Sequence, residues 1–459
     1  MNEASHPQTA SVDALLHPAL EQRRAEQNLM RKLNIRIVLF LFVLLLFSYL
    51  DRINIGFAGL TMGKDIGLTA TQFGLATTLF YIAYIVFVLP SNVMLDIVGV
   101  RRWIATIMVA WGLASSATMF ATGPTSLYVL RVLVGITEAG FLPGVLVYLT
   151  FWFPAEYRAR ANAWFLLAMP ITTAGSSVVS GWILESMQGF QGLHGWQWMF
   201  VVEGIPAVIL GIVVWFCLAE KPEDAKWLSA EERSLLARML VRDRAASMSA
   251  AQAAGTKKNW LQVFSPVILL FTLTYFFLTN TLSTVAVWGP QILKGIYQDS
   301  DSLTIGMLNA IPQVVTVVAM ILWGRSSDRM GERKVHAILA FLCAAAGWLI
   351  AAQGGHPALQ LLGVCMASAG AFSGMALFWA VPHQSLDPRL LAVGIGFINA
   401  FGNIGGALNP VLMGYMRDAS GDFRTGLYVV ATFLVLGACL IAVLPFNKVR
   451  TPGTERASA

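Results

Sequence analysis

Long apolar runs separated by short polar links fill most of this chain, and each run is long enough to cross about 30 Å of hydrocarbon as a helix. The pattern predicts twelve such helices, over 34–60, 70–95, 103–121, 125–150, 160–185, 197–219, 264–295, 303–324, 336–353, 357–382, 389–416 and 422–445. One long polar stretch, 220–263, divides them into six and six. Within it Ser229 and Glu232 have capping-box spacing, and Leu235, Leu236, Met239 and Leu240 share a face, which predicts a short helix lying on the membrane surface. The expected organisation is a tail over 1–33, a bundle over 34–219, a linker over 220–263, a second bundle over 264–445 and a tail over 446–459.

Composition agrees with a lipid solvent: 56% of the 459 residues are hydrophobic and only 12% charged, too few to cover a water-soluble protein of this length. The formal net charge of +6 does not point to nucleic acid, because the basic residues sit in links between apolar runs instead of on one face. Placing both tails and the linker inside puts roughly 25 Lys and Arg in inner segments, against Lys64, Lys294, Arg417 and Arg424 outside. Both termini are therefore expected in the cytoplasm of a bacterial cell, the protein lying in its inner membrane. No short apolar core with a small-residue cleavage site precedes the first run, so that run is expected to be retained. Cys217, Cys343, Cys365 and Cys439 each lie inside an apolar run, without metal-ligand spacing, and read as small buried residues.

The two halves repeat one another. Asp96, Gly99, Arg101 and Arg102 follow the second run, and Asp328, Gly331, Arg333 and Lys334 follow the eighth at an offset of 232 residues. In such a loop the glycine permits a tight turn with positive φ, and the acid can accept hydrogen bonds at a neighbouring helix end. An ordinary basic inner loop is the plainer explanation, but it accounts poorly for two matched copies.

Ionisable groups inside apolar runs are the sharpest chemical signal, since each is costly in hydrocarbon unless it is paired or faces water. Asp51 and Arg52 lie in the first run, Arg131 and Glu138 in the fourth, and Glu203 near the outer end of the sixth, where a structural role is expected. Arg131, Gly135 and Glu138 are spaced to share one helix face, which is expected to line a cavity. A purely structural ion-pair network is the competing reading. No metal cluster, nucleophile constellation or phosphate-binding loop stands out, so neither a cofactor nor an enzyme is expected.

The loop Gly324, Asp328-Arg329, Gly331, Arg333-Lys334 resembles the cytoplasmic signature of the major facilitator superfamily; the first copy has Asn92 where the leading glycine usually stands. The run Tyr49-Leu50-Asp51-Arg52-Ile53-Asn54, the stretch from Arg131 to Gly144, Phe153-Pro154 with Arg158-Ala159, and Gly195-Trp196-Gln197-Trp198 through Glu203-Gly204 resemble that superfamily's anion:cation symporter branch. Within the branch, 48–63 and 118–128 are similar nearly residue for residue to the bacterial 4-hydroxyphenylacetate permeases.

The resemblance implies an all-α membrane protein of twelve transmembrane helices in two pseudo-symmetric six-helix bundles around a midplane site that opens alternately to each side. It implies that Asp51 and Glu138 bind protons, that Arg52 meets a substrate carboxylate, and that Arg131 communicates with the proton sites. Tyr84 and Asn399 match pocket positions of sugar-acid members, and Met169 stands where those members have Gln, which suits a less polar substrate. Tyr49, Asn280, Phe80, Trp288, Phe378, Trp379 and Asn403 complete the candidate pocket. His336 and His383 are expected bystanders. The expected activity is proton-driven import of a small organic anion by a monomer, 4-hydroxyphenylacetate or another aromatic carboxylate first, a sugar acid, tartrate or phthalate-like acid next, with a proton-coupled drug exporter, a transporter-like sensor and a membrane enzyme as the other classes.

Overall fold

The structure, a computed structural model, describes residues 9–166, 168–253, 264–379, 381–382, 386 and 391–444. His383 and the tail over 446–459 fall outside these, as does the side chain of Met169, whose backbone lies in the helix Ala168–Ser186. Among the described residues, ten helices are long and apolar enough to cross a membrane. The fifth span, formed by Ala155–Leu166 and Ala168–Ser186, and the eleventh, Leu391–Ser420, complete the twelve.

The sixth and seventh spans begin at Gly195 and Pro266, and the linker helix Ala230–Ala253 lies between them. Its start is the predicted capping box, with Glu232 N donating to Ser229 Oγ (3.1 Å) and Ser229 N to Glu232 Oε2 (2.8 Å). Lys32 Nζ donates to the same carboxylate at 2.7 Å, and Leu236 and Met239 are buried in the apolar cluster of the first half, so the linker is strapped to that half. The hydrogen bonds from Lys32 hold the Glu232 carboxyl below its usual range. The contribution of this pair is complete above the ordinary Glu value of about 4.3 and is lost as the pH falls through the lowered one.

Two spans expected as continuous helices are interrupted. The fourth breaks in its middle into Pro124–Glu138 and Phe141–Trp152, with Ala139 extended and Gly140 left-handed at φ 97°. A Cβ on Gly140 lies 2.0 Å from Ser91 Oγ, so only glycine both turns and fits there. Gly140→Ala is expected to destabilise the protein by about 1–3 kcal/mol, read as a lowered midpoint in detergent thermal unfolding. The seventh span carries a π turn over Thr284–Trp288 before its last segment Gly289–Ile296.

The two halves meet at the end of the bundle where the first span finishes at Ala58 and the second starts at Ala70, here called the far end. Glycine brings backbone to backbone there: added Cβ atoms at Gly74 and Gly414 lie 2.1 and 2.3 Å from the carbonyls of Pro410 and Ala70, joining the second and eleventh spans. At Gly181 and Gly306 they lie 2.6 and 2.3 Å from those of Ser302 and Ser177, joining the fifth and eighth. Gly56 packs likewise on the carbonyls of Ala286 and Val287 in the seventh.

Two carboxylates then cap helix starts across the divide. Asp418 accepts from Ala70 N (3.0 Å) and Thr71 N (2.7 Å), and Glu185 accepts from Ser302 N (3.1 Å). One apolar cluster runs from the second half through this junction to Phe57, Phe73 and Trp196 of the first. The far end is closed.

The cysteine expectation needs correction. Cys365 is buried, but Cys217 and Cys439 are exposed on the bundle surface, where hydrocarbon instead of protein satisfies an apolar thiol.

Candidate functional site

The first span places Asp51 and Arg52 next to each other, but successive residues on a helix point about 100° apart. Asp51, 2% exposed, turns toward the third span, where its Oδ2 accepts from Trp111 Nε1 and its Oδ1 from Ser115 Oγ; Asn54 Nδ2 donates to the same Oδ1 at 2.8 Å. Arg52 turns instead to the break in the fourth span. Its Nε donates to Glu138 Oε1 at 2.9 Å and its Nη2 to the same oxygen.

The Arg52 guanidinium lies 4.8 Å from the Tyr84 ring centroid, stacked in cation–π fashion, and keeps 23% of its side chain exposed. Tyr49, Ser48, Leu45, Phe141 and Leu142 complete a cleft around Arg52, Tyr84 and Glu138. Within it the other carboxylate oxygen of Glu138 is buried without a partner. This narrow site holds one partly exposed guanidinium and one acid already bound to it.

Arg131 does not open into the cleft. It is 2% exposed, with its guanidinium 4.6 Å from the Phe80 ring centroid. The glycine between it and Glu138 faces the second span, where a Cβ on Gly135 lies 2.5 Å from the Phe80 carbonyl. The face expected to line a cavity is therefore a packed helix contact, and only its last residue, Glu138, reaches the cleft.

The second half contributes fewer of the expected groups. Asn280, 1% exposed, donates to the Phe276 carbonyl at 3.0 Å and accepts from Asn409, so its amide is consumed in joining the seventh and eleventh spans. Trp288 is fully buried in the far-end seal between Phe73 and Phe423. Phe378 is 1% exposed and stacked on Tyr275, which removes it from any pocket surface. Trp379 remains half-buried, edge-on to Tyr275 at 4.9 Å. Asn399 is exposed and bonded to Asn403 at 2.9 Å. Those last two side chains keep exposed surface.

In the basic loops, Gly99 and Gly331 have the expected positive φ, 93° and 62°. The acid at the neighbouring helix end is not Asp96, which is exposed, but Glu220 after the sixth span: it accepts from Val100 N at 2.5 Å and Arg101 N at 3.2 Å, with Arg101 Nε at 3.9 Å. Arg102 and Arg329 are exposed, and Asp328 lies 3.7 Å from Arg333. Missing from the sequence reading were Trp111 and Ser115, which hold Asp51. Their one signal was a donor pair at i and i+4 in an apolar run.

Two six-helix halves closed at one end, with a charged cleft between helical spans of the first half, define a multi-pass membrane transporter. The Major Facilitator Superfamily profile matches residues 41–410 and again 295–459, and the chain belongs to that family. It is 40% identical to a putative tartrate transporter of Agrobacterium vitis, over 94% of this chain and 95% of that one. It is 36% identical to the putative metabolite transport protein NicT of Pseudomonas putida, over 91% and 94%. The fold matches the inward-open xylose transporter XylE of E. coli with a TM-score of 0.72 at 16% identity, covering 91% of this chain and 97% of that one.

Proposed function

We propose that the protein imports a small organic carboxylate together with protons. The observation that carries this reading is the Arg52–Glu138 pair in the cleft. A substrate carboxylate suits the planar guanidinium fork, but it must compete with Glu138 for it. Protonating Glu138 removes the competitor and frees Arg52, so proton and anion favour one another's binding by about 1–3 kcal/mol. With the tails inside, the closed far end is the external one, and substrate leaves on the opposite side as Glu138, its proton gone, takes Arg52 back.

For the substrate, the resemblance to 4-hydroxyphenylacetate permeases and the relative named for tartrate favour different acids. The burial of Phe378 removes one of the two rings invoked for an aromatic ligand. A small hydroxylated carboxylate of the tartrate kind is therefore placed first. An arylacetate comes second, carried by Trp379 and Tyr275.

Proteoliposomes loaded at neutral pH and diluted into acidic buffer are expected to accumulate labelled tartrate, and collapsing the gradient is expected to abolish accumulation. Unlabelled 4-hydroxyphenylacetate, phenylacetate and galactonate then compete. If 4-hydroxyphenylacetate displaces the label at lower concentration than tartrate itself, the order of the two substrates is reversed; if no carboxylate is accumulated under the gradient, the import reading fails.

A further inference from the structure

The two carboxylates that cross the divide occupy matching places in the two halves. Ala70 and Ser302, the helix starts they serve, stand 232 residues apart, the offset of the repeated basic loops, and Glu185 and Asp418 stand 233 apart. The close-approach glycines match in the same way, Gly74 with Gly306 and Gly181 with Gly414. Each half therefore offers one helix start and one carboxylate, and the junction is built twice from one plan.

Both helix starts already have a cap of their own. Thr69 Oγ1 accepts from Gln72 N at 3.1 Å, and Asp301 Oδ1 accepts from Thr304 N at 2.7 Å, so the third helical N–H is served within each half. Those caps leave the first N–H groups over, and these are what Asp418 and Glu185 take from the opposite half. Such a contact exists only while the halves touch.

The two contacts are unequal. Asp418 uses both oxygens, Oδ1 for Ala70 N and Oδ2 for Thr71 N, and Thr71 Oγ1 adds a third donor at 2.5 Å. Glu185 takes one, Ser302 N, at 3.1 Å. The cap beside Asp418 is the neutral Thr69, whereas the cap beside Glu185 is Asp301, a second acid. Glu185 and Asp301 also line an open pocket of about 300 Å³ between the halves, where solvent screens the contact.

We propose that Asp418 and Glu185 form a reciprocal latch that holds the far end shut, with Asp418 supplying most of its strength. Neither residue lines the Arg52 cleft, so the latch sets how often the far end parts without altering recognition. It depends neither on the substrate nor on the import reading.

The test needs no substrate. Ser177 is fully buried in the junction, where its Oγ accepts from Asn309 Nδ2 of the other half at 2.9 Å. With the four native cysteines replaced by alanine, Ser177→Cys reacts with a charged thiol reagent only while the halves are parted, and its labelling rate follows the parted fraction. In purified protein Asp418→Ala is expected to raise that rate about tenfold and Glu185→Ala about threefold, the double variant giving roughly the product. Asp418→Asn keeps an acceptor oxygen without the charge and should fall between Asp418→Ala and the parent. Thr69→Ala and Asp301→Ala each remove a cap from the same helices without crossing the divide; they lower thermal stability but are not expected to raise the rate. Labelling no faster in Asp418→Ala than in Thr69→Ala reduces the contact to a helix cap and overturns the latch. A larger effect from Glu185→Ala than from Asp418→Ala, or a double variant no faster than Asp418→Ala alone, overturns it as well.

Discussion

Arg52→Ala is expected to abolish anion binding, weakening it by about 100-fold or more, because two charge-assisted hydrogen bonds of about 1.5–3 kcal/mol each lose their donor. The geometry adds a second effect that a simple loss of charge does not. Glu138 is 2% exposed and has Arg52 as its ion-pair partner within the cleft, so removing the guanidinium leaves an uncompensated buried carboxylate. Such a group takes up a proton instead of remaining ionised. The variant should therefore also lose its pH response. Arg52→Lys keeps the charge but not the fork or the stacking on Tyr84, and about a tenfold loss is expected. Equilibrium binding of labelled tartrate to purified protein at two pH values checks both; wild-type affinity in Arg52→Ala removes Arg52 from recognition.

Glu138→Gln should do the opposite to affinity. The amide imitates the protonated acid, leaves Arg52 without its internal competitor, and is expected to bind anion as tightly as wild type at low pH, now independently of pH. Exchange of labelled for unlabelled substrate across the membrane persists, since it needs only the loaded carrier to reorient. Uphill accumulation falls to equilibration, a ratio of about 1, because the coupling free energy between proton and anion is gone. Retained accumulation in this variant transfers proton coupling to another carboxyl, with Asp51 the first to examine.

Arg52 and Glu138 were legible in the sequence as costly charges in apolar runs, 86 residues apart, but their mutual pairing was not. Asp51 is the acid adjacent to Arg52 in sequence, but helix geometry turns the two apart. The break that puts Glu138 at the end of a half-helix was also hidden, because the apolar run from Leu127 to Phe153 continues straight across Gly140. Hydropathy reports the solvent around a segment, not its dihedral angles. Twelve spans, two halves and the capped linker helix were readable for the same reason, each being set by periodicity or local capping. The engagement of Asn280 with Asn409 and of Phe378 with Tyr275 was not legible, because nothing in one span's sequence says which neighbouring helix will take up a polar group or ring.

The far-end junction behaves as a gauge of separation between the halves. At Gly74 and Gly414 the gap left for a side chain is filled by the opposing backbone, so the closed arrangement tolerates a hydrogen atom and nothing larger. Any methyl placed there acts as a wedge, and its energy is charged only to the conformation in which the helices touch. Because the site residues lie elsewhere, alanine or leucine at these two positions can hold the halves apart at the far end while leaving Arg52 and Glu138 unaltered. The same substitutions would favour a form parted at the far end, so that it could be captured.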